Sequence, residues 1–151
     1  MTADRSKRCW RGIGALTALL LSTSPVLADR AVPAPAEFLA RTAELVEAHR
    51  LMQAARYVPD PPGTDVWRAS WEGDCEDIAL AALEWLVERG WPRESMRIAV
   101  GRVEAGPYAG QAHAILCVLL PGQLYSDRTC LDALRDAPAP LSTFGRGWVL
   151  R

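Results

Sequence analysis

The sequence has few of the side chains that bind nucleic acids or form Schiff bases. Lys7 is its only lysine, and it has just two histidines, His49 and His113. The formal net charge is −1 and there is no long basic tract whose binding would release counterions from a polyphosphate. A nucleic-acid partner is therefore not expected. The chain has no lysine after Lys7 that could form a Schiff base.

The first 28 residues have the order of a secretory signal peptide. Basic residues within positions 5–11 precede a short apolar stretch from Ile13 to Leu21, and the segment ends Val26-Leu27-Ala28. We expect cleavage after Ala28, which would leave one domain over residues 29–151 in the periplasm. The alternative is an uncleaved membrane anchor, although the apolar stretch is short for the roughly 20 residues of a spanning helix.

The expected mature chain is mildly acidic and has an odd number of cysteines. Its 13 arginines face 17 acidic residues, a formal net charge of −4. Cys75, Cys117 and Cys130 remain, so at least one thiol in an oxidising compartment is free or joined to another molecule. Cys117 fits a buried structural cysteine. A disulfide between Cys117 and Cys130 is not expected, because a hairpin turning at residues 121–123 would place Cys117 opposite about residue 123.

The pattern of apolar residues predicts two helices followed by strands. Residues 37–56 and 75–89 have the periodicity of helices with one buried face. Segments with the length and composition of strands follow at residues 96–103, 112–120, 124–129 and 144–150. This order predicts an α+β fold in which the second helix packs on an antiparallel sheet.

Cys75 lies in the first turn of the second predicted helix, within Trp71–Ala79 (WEGDCEDIA). Unpaired backbone N–H groups and the helix dipole favour a thiolate at this position. A thiolate nucleophile needs a base, and His113, which opens a predicted strand, suits this role better than His49 in mid-helix. Folding the chain about the predicted turn brings Asp127 roughly opposite His113, where it would orient the imidazole. These residues predict a Cys75–His113–Asp127 triad, with Asp132 as the next candidate for the third role.

The motif GDCED, an apolar helix and a later strand that begins Ala-His together resemble the bacterial transglutaminase-like cysteine proteinases, which include the LapG-type periplasmic proteases. The resemblance covers about residues 38–150 and implies a papain-like or transglutaminase-like core. It also implies proteolysis in the periplasm by the same triad. LapG-type members release surface adhesins by cutting at a di-alanine site, and an inner-membrane receptor for a cyclic dinucleotide holds them. Upstream residues that also resemble the family are Tyr57, Asp60, Gly63, Asp65 and Trp67.

On this interpretation Cys75 attacks a peptide or amide carbonyl and processes a cell-surface or periplasmic protein. The backbone N–H of Cys75 would be one oxyanion donor, and the indole N–H of Trp67 or Trp71 the second. The same triad could instead transfer the acyl group to an amine, or the domain could be a non-catalytic binding module. A zinc site is a further hypothesis, although a closely spaced pair of ligands is missing. Its ligands would be Cys75, His113, Cys117 and Cys130.

Three carboxylates flank the cysteine, at Asp74, Glu76 and Asp77, and like-charge repulsion from them should raise the pKa of the thiol. One explanation for their presence is that Asp74 caps the helix and the other two complement its dipole. The alternative is a bound Ca²⁺ ion, completed by backbone carbonyls or Asp65. The resemblance favours calcium, because LapG-type members depend on calcium and use the acids beside the cysteine as ligands.

Overall fold

The structure is a computed structural model that describes residues 35–151, with side chains from residue 40 onward. The predicted signal peptide, its cleavage after Ala28 and the alternative membrane anchor lie outside these residues and remain predictions. Within residues 35–151, no helix combines the length and apolar character needed to cross a membrane.

Two helices form where the periodicity predicts them. Helix α1 covers Pro35–Ala54 and helix α2 covers Cys75–Val87, each within two residues of the predicted bounds. Helix α2 ends before Gly90, whose φ of +80° is a conformation that favours glycine. The two helices pack together through a shared apolar cluster that includes Leu45, Met52 and Leu86.

A five-stranded antiparallel sheet follows α2 and confirms the α+β class. Its strand order is β6-β5-β4-β3-β7. The strands are β3 Met96–Arg102, β4 Ala112–Val118, β5 Thr129–Leu131, β6 Ala139–Pro140 and β7 Val149–Leu150. The two long strands pair over their whole length, with Gly101 opposite His113.

The central strand β4 is buried on both faces. Its residues Ala114 and Leu116 face the helices, while Ile115 and Cys117 face a second apolar cluster that contains Phe144. This division follows from the alternation of side chains along a strand. The C-terminal segment therefore covers the face of the sheet that the helices leave open.

The connection between β4 and β5 differs from the predicted tight hairpin. Instead of a strand at residues 124–129, the chain forms a 3-10 turn at Tyr125–Asp127 before β5 begins. The connection is thus ten residues long, and β4 and β5 pair with Cys117 opposite Cys130. A disulfide joins these two cysteines, so the expectation that they stay unpaired is wrong. It was wrong because it assumed a tight hairpin; the chain does turn at residues 121–122, but the 3-10 turn that follows delays the pairing until Thr129.

The predicted C-terminal strand is shorter than residues 144–150. A 3-10 turn covers Leu141–Phe144, and β7 begins at Val149.

A short parallel pair, not predicted from the sequence, leads into the cysteine-bearing helix. Strand β1 covers Arg56–Tyr57 and strand β2 covers Glu72–Gly73. The N–H of Val58 donates to the carbonyl of Gly73 at 2.8 Å, and that of Arg56 donates to the carbonyl of Trp71 at 3.0 Å. The end of α1 is therefore fixed beside the residues that precede Cys75.

Candidate active site

Cys75 is the first residue of α2 and the only free cysteine among residues 35–151. Its backbone N–H belongs to the first helical turn, where no intrahelical acceptor exists. The backbone N–H of Ala114 in β4 acts to lower the pKa of the thiol. Cys75 and His113 line the same cleft of about 330 Å³, which we call the active-site cleft. The fold thus brings the predicted nucleophile and base to one cleft.

His113 is held by a buried carboxylate. Its Nε2 lies 2.7 Å from Oδ1 of Asp132, and both side chains are buried. Because an ionised carboxylate can only accept, Nε2 carries the proton and Nδ1 is the nitrogen left for other chemistry. The same Oδ1 accepts the backbone N–H of Leu134 at 2.9 Å. The pair is therefore arranged to fix both the tautomer and the direction of the imidazole.

Asp127 does not lie at His113, and its predicted placement is wrong. It ends the exposed 3-10 turn Tyr125–Asp127, and its backbone N–H donates to Leu124. The ten-residue connection moves the register of β5 so that Asp132, just beyond the strand, reaches the histidine. Asp132 is the residue that the sequence offered as the alternative to Asp127, and it lies directly after the apolar end of β5.

Two further side chains stabilise the His113–Asp132 pair. His49, buried in α1, donates from Nε2 to the backbone carbonyl of Asp132 at 2.9 Å, which is a packing role rather than a ligand role. The indole of Trp148 meets the His113 ring edge to face, with 6.3 Å between ring centroids. That indole occupies the space above Gly101, where a Cβ would lie 2.5 Å from it.

The surroundings of Cys75 keep its thiol protonated. Burial, followed by the hydrogen bond and charge of Glu76, raises the pKa of the Cys75 thiol to about 12, and the Ala114 N–H acts in the opposite direction. The thiol lies 3.1 Å from Oε2 of Glu76 and donates to it. Burial also raises the pKa of Glu76. The neighbouring carboxylates therefore raise the pKa of the thiol, as the sequence predicts. Glu76 contributes most among them.

The three acids beside Cys75 do not converge on one point. Asp74 is the N-cap residue but its side chain makes no capping hydrogen bond, and Glu76 binds the thiol. Asp77 is buried, its Oδ1 accepts the backbone N–H of Arg68 at 2.7 Å, and its Oδ2 forms an ion pair with Nε of Arg68 at 3.4 Å. Across residues 35–151, no three His, Cys, Asp or Glu side chains form a metal-binding group. These acids would have to rearrange before they could hold calcium together.

The structure also bears on the predicted oxyanion donors and zinc ligands. The indole N–H of Trp67 donates to Asp65 at 2.9 Å, which engages both a predicted oxyanion donor and a predicted extra calcium ligand. The disulfide occupies Cys117 and Cys130, so they cannot serve as the predicted zinc ligands. Trp71 packs against the core beside α2.

The rest of the active-site cleft is apolar or uncharged. No Asp, Glu, Lys or Arg belongs to its lining. Side chains with hydrogen-bond donors come from Gln53, Tyr57, Tyr108 and Gln111. The arrangement can hold an uncharged segment of a substrate against a thiol, an imidazole and a carboxylate, which are the groups that cysteine acyl-transfer chemistry needs.

Comparisons with known proteins agree with this fold. A family described as "Bacterial transglutaminase-like cysteine proteinase BTLCP" matches residues 56–129, which include Cys75 and His113. Legionella pneumophila LapG has a similar structure, with a TM-score of 0.57 and 24% sequence identity over 69% of this chain. The EGTA-treated form gives the same values, and the calcium-bound form matches over 68% of this chain with equal identity and TM-score.

The chain spans 58% of the length of that LapG structure. At 24% identity the similarity shows the fold alone. No sequence among curated proteins gives a significant match.

Proposed function

We propose that this chain is a member of the bacterial transglutaminase-like cysteine proteinase family, whose model matches residues 56–129, and that it hydrolyses a peptide or amide bond with Cys75, His113 and Asp132. The observation that carries the proposal is the 2.7 Å bond between His113 and Asp132 in a cleft shared with a free cysteine. Asp132 takes the orienting role that the sequence assigned to Asp127.

In the proposed reaction, Nδ1 of His113 takes the thiol proton as the sulfur of Cys75 attacks the carbonyl carbon. The carbonyl oxygen becomes an oxyanion, for which the backbone N–H of Cys75 is one donor. Collapse of this intermediate breaks the C–N bond, and the imidazolium protonates the leaving amine. Water, deprotonated by His113, then hydrolyses the thioester and releases the acid and the free thiol. Asp132 stabilises the imidazolium while it exists.

Glu76 must release the thiol before this sequence can start. While the thiol donates to Glu76, its proton is directed away from the imidazole. A half-buried carboxylate at the helix start can move toward solvent by rotation of its own side chain. The proposed active form therefore has the Cys75–Glu76 hydrogen bond broken.

The function is tested by labelling and by cleavage. Iodoacetamide should label Cys75 in the folded chain, and the wild type should cleave members of an unbiased peptide library. Cys75→Ala and His113→Ala should abolish cleavage. Cleavage that persists in Cys75→Ala would show that another group is the nucleophile. Adding hydroxylamine distinguishes hydrolysis from acyl transfer, because a transferase would convert the same acyl-enzyme mainly to hydroxamate.

Calcium binding is a separate part of the proposal. The LapG structures include calcium-bound and EGTA-treated forms. In this chain Asp74, Glu76 and Asp77 would have to hold the ion, but they do not converge as they stand, so no step of hydrolysis is assigned to it. Calorimetry with Ca²⁺ should give a binding signal that Asp77→Asn removes, with thermal melting to check that the variant folds. An equal signal in both proteins would contradict these ligands.

We also propose that the chain is exported to the periplasm and acts on a protein, such as a surface adhesin. The resemblance adds an inner-membrane receptor as a regulatory partner. The support is the order of the first 28 residues and the family. Expression of the full chain in a bacterium should yield a periplasmic protein whose first residue is Asp29. Recovery of the intact chain in the membrane fraction would favour the uncleaved anchor.

A further inference from the structure

The proposed reaction lacks a second oxyanion donor. Hydrolysis of an amide forms a tetrahedral oxyanion, and cysteine and serine hydrolases hold it with more than one donor. Cys75 contributes its backbone N–H, but the indole N–H of Trp67 is already bonded to Asp65. Of the other donors in the active-site cleft, Gln53 donates its amide to the carbonyl of Arg135 at 2.8 Å. The remaining candidates are Tyr57, Tyr108 and Gln111.

Tyr57 is fixed beside the nucleophile by the backbone. It lies in β1 and pairs with Gly73, which is two residues before Cys75. The next residue, Val58, donates its N–H to the carbonyl of Gly73 at 2.8 Å. Tyr108 and Gln111, in contrast, come from the connection that leads into the strand of His113. Tyr57 is therefore the donor whose strand is tied directly to the residues preceding the cysteine.

The Tyr57 hydroxyl is available to a ligand. Its side chain lines the active-site cleft with Cys75 and is exposed, and the hydroxyl has no hydrogen-bond partner among residues 35–151. Partial burial raises the pKa of Tyr57, and the neighbouring carboxylates of Asp74 and Glu76 act in the same direction. The phenol thus keeps its proton at neutral pH and lies within the field of the groups around the nucleophile.

We propose that the Tyr57 hydroxyl is a catalytic residue that donates the second hydrogen bond to the oxyanion. It is a neutral donor that need not break an existing bond, and it would strengthen its hydrogen bond as negative charge develops on the carbonyl oxygen. This inference rests on the proposed function, because it assumes that Cys75 attacks a carbonyl.

The test compares Tyr57→Phe with the matched variant Tyr125→Phe, which removes the hydroxyl of an exposed tyrosine that does not line the active-site cleft. Loss of one oxyanion donor typically lowers kcat by about 10²- to 10³-fold, so Tyr57→Phe should lower kcat for a cleaved peptide by that factor with little change in KM. Tyr125→Phe should stay near the wild type. A peptide aldehyde of the same sequence, which forms a tetrahedral adduct with the thiol, should lose affinity only in Tyr57→Phe.

Alkylation of Cys75 by iodoacetamide separates this role from a structural one. Displacement of iodide forms no oxyanion, so its rate should be the same in Tyr57→Phe and the wild type, and thermal melting should also be unchanged. Equal kcat in Tyr57→Phe and the wild type would overturn the inference while leaving the function intact. An equal loss of alkylation, or an equal loss of kcat in Tyr125→Phe, would overturn it as well. Hydrolysis by Cys75→Ala would instead overturn the proposed function.

Discussion

Replacing Asp132 by Asn gives the sharpest test of the orienting carboxylate. In the structure Oδ1 of Asp132 accepts both His113 Nε2 at 2.7 Å and the N–H of Leu134 at 2.9 Å, in a buried setting. Asn has the same shape but no charge, and one of its two terminal atoms is a donor. The matched control is Asp127→Asn, which changes an exposed turn residue of the same type.

The size of the effect depends on which way the new amide faces. If its oxygen takes the place of Oδ1, the geometry persists and a charge-assisted hydrogen bond is lost, which costs about 1.5–3 kcal/mol, or about 10- to 150-fold in rate. If its NH₂ faces the ring instead, Nε2 must become the acceptor and Nδ1 carries the proton. The imidazole then cannot deprotonate Cys75, and the analogous tautomer error in a serine protease triad lowers kcat about 10⁴-fold. We therefore expect a loss between about 10- and 10⁴-fold.

The assay is steady-state cleavage of one peptide by the wild type, Asp132→Asn and Asp127→Asn. Thermal melting of each protein checks that any loss is not caused by unfolding. Asp127→Asn should retain the activity of the wild type. Its side chain is exposed in the 3-10 turn that precedes the pairing of β5 with the strand of His113. A large loss in Asp127→Asn with normal turnover in Asp132→Asn would refute the assignment and restore the interpretation from the sequence.

Further expectations concern the thiol, the disulfide and the core. Glu76→Gln should shift the pH dependence of Cys75 alkylation to lower pH, because a charge that raises the thiol pKa is removed; an unchanged profile would mean that burial alone sets it. Replacing both Cys117 and Cys130 by Ala should cost about 3 kcal/mol in urea unfolding, as expected for a closed loop of about 14 residues, while labelling of Cys75 persists. Leu86→Ala should cost about 2–5 kcal/mol, because the side chain is fully buried; a loss below 1 kcal/mol would contradict its place in the core.

Local patterns in the sequence were enough to find the two helices, the two long strands and two residues of the proposed site. Helical periodicity and the stop at Gly90 gave α2 within two residues, and the β-branched segments gave β3 and β4 equally closely. Cys75 and His113 could be selected because a helix start favours a thiolate and because the chain offers few bases. Each of these features depends on residues that are neighbours in the chain.

The partner of His113 was decided by the tertiary structure. Asp132 lies 19 residues from His113, and a ten-residue connection with its own 3-10 turn separates their strands. The conformation of such a connection sets the register, and a small change in register moves every cross-strand partner. The same dependence explains the unexpected disulfide.

The electrostatic state of the nucleophile also required the fold. The sequence by itself determined that carboxylates and a helix start act on Cys75 in opposite directions. Their balance depends on how far the sheet and helix remove the thiol from water, and burial is the largest cause of its raised pKa. Composition and spacing therefore identified the chemical groups, while the tertiary structure decided their partners and their protonation, because distance and desolvation are set by chain segments far apart in sequence.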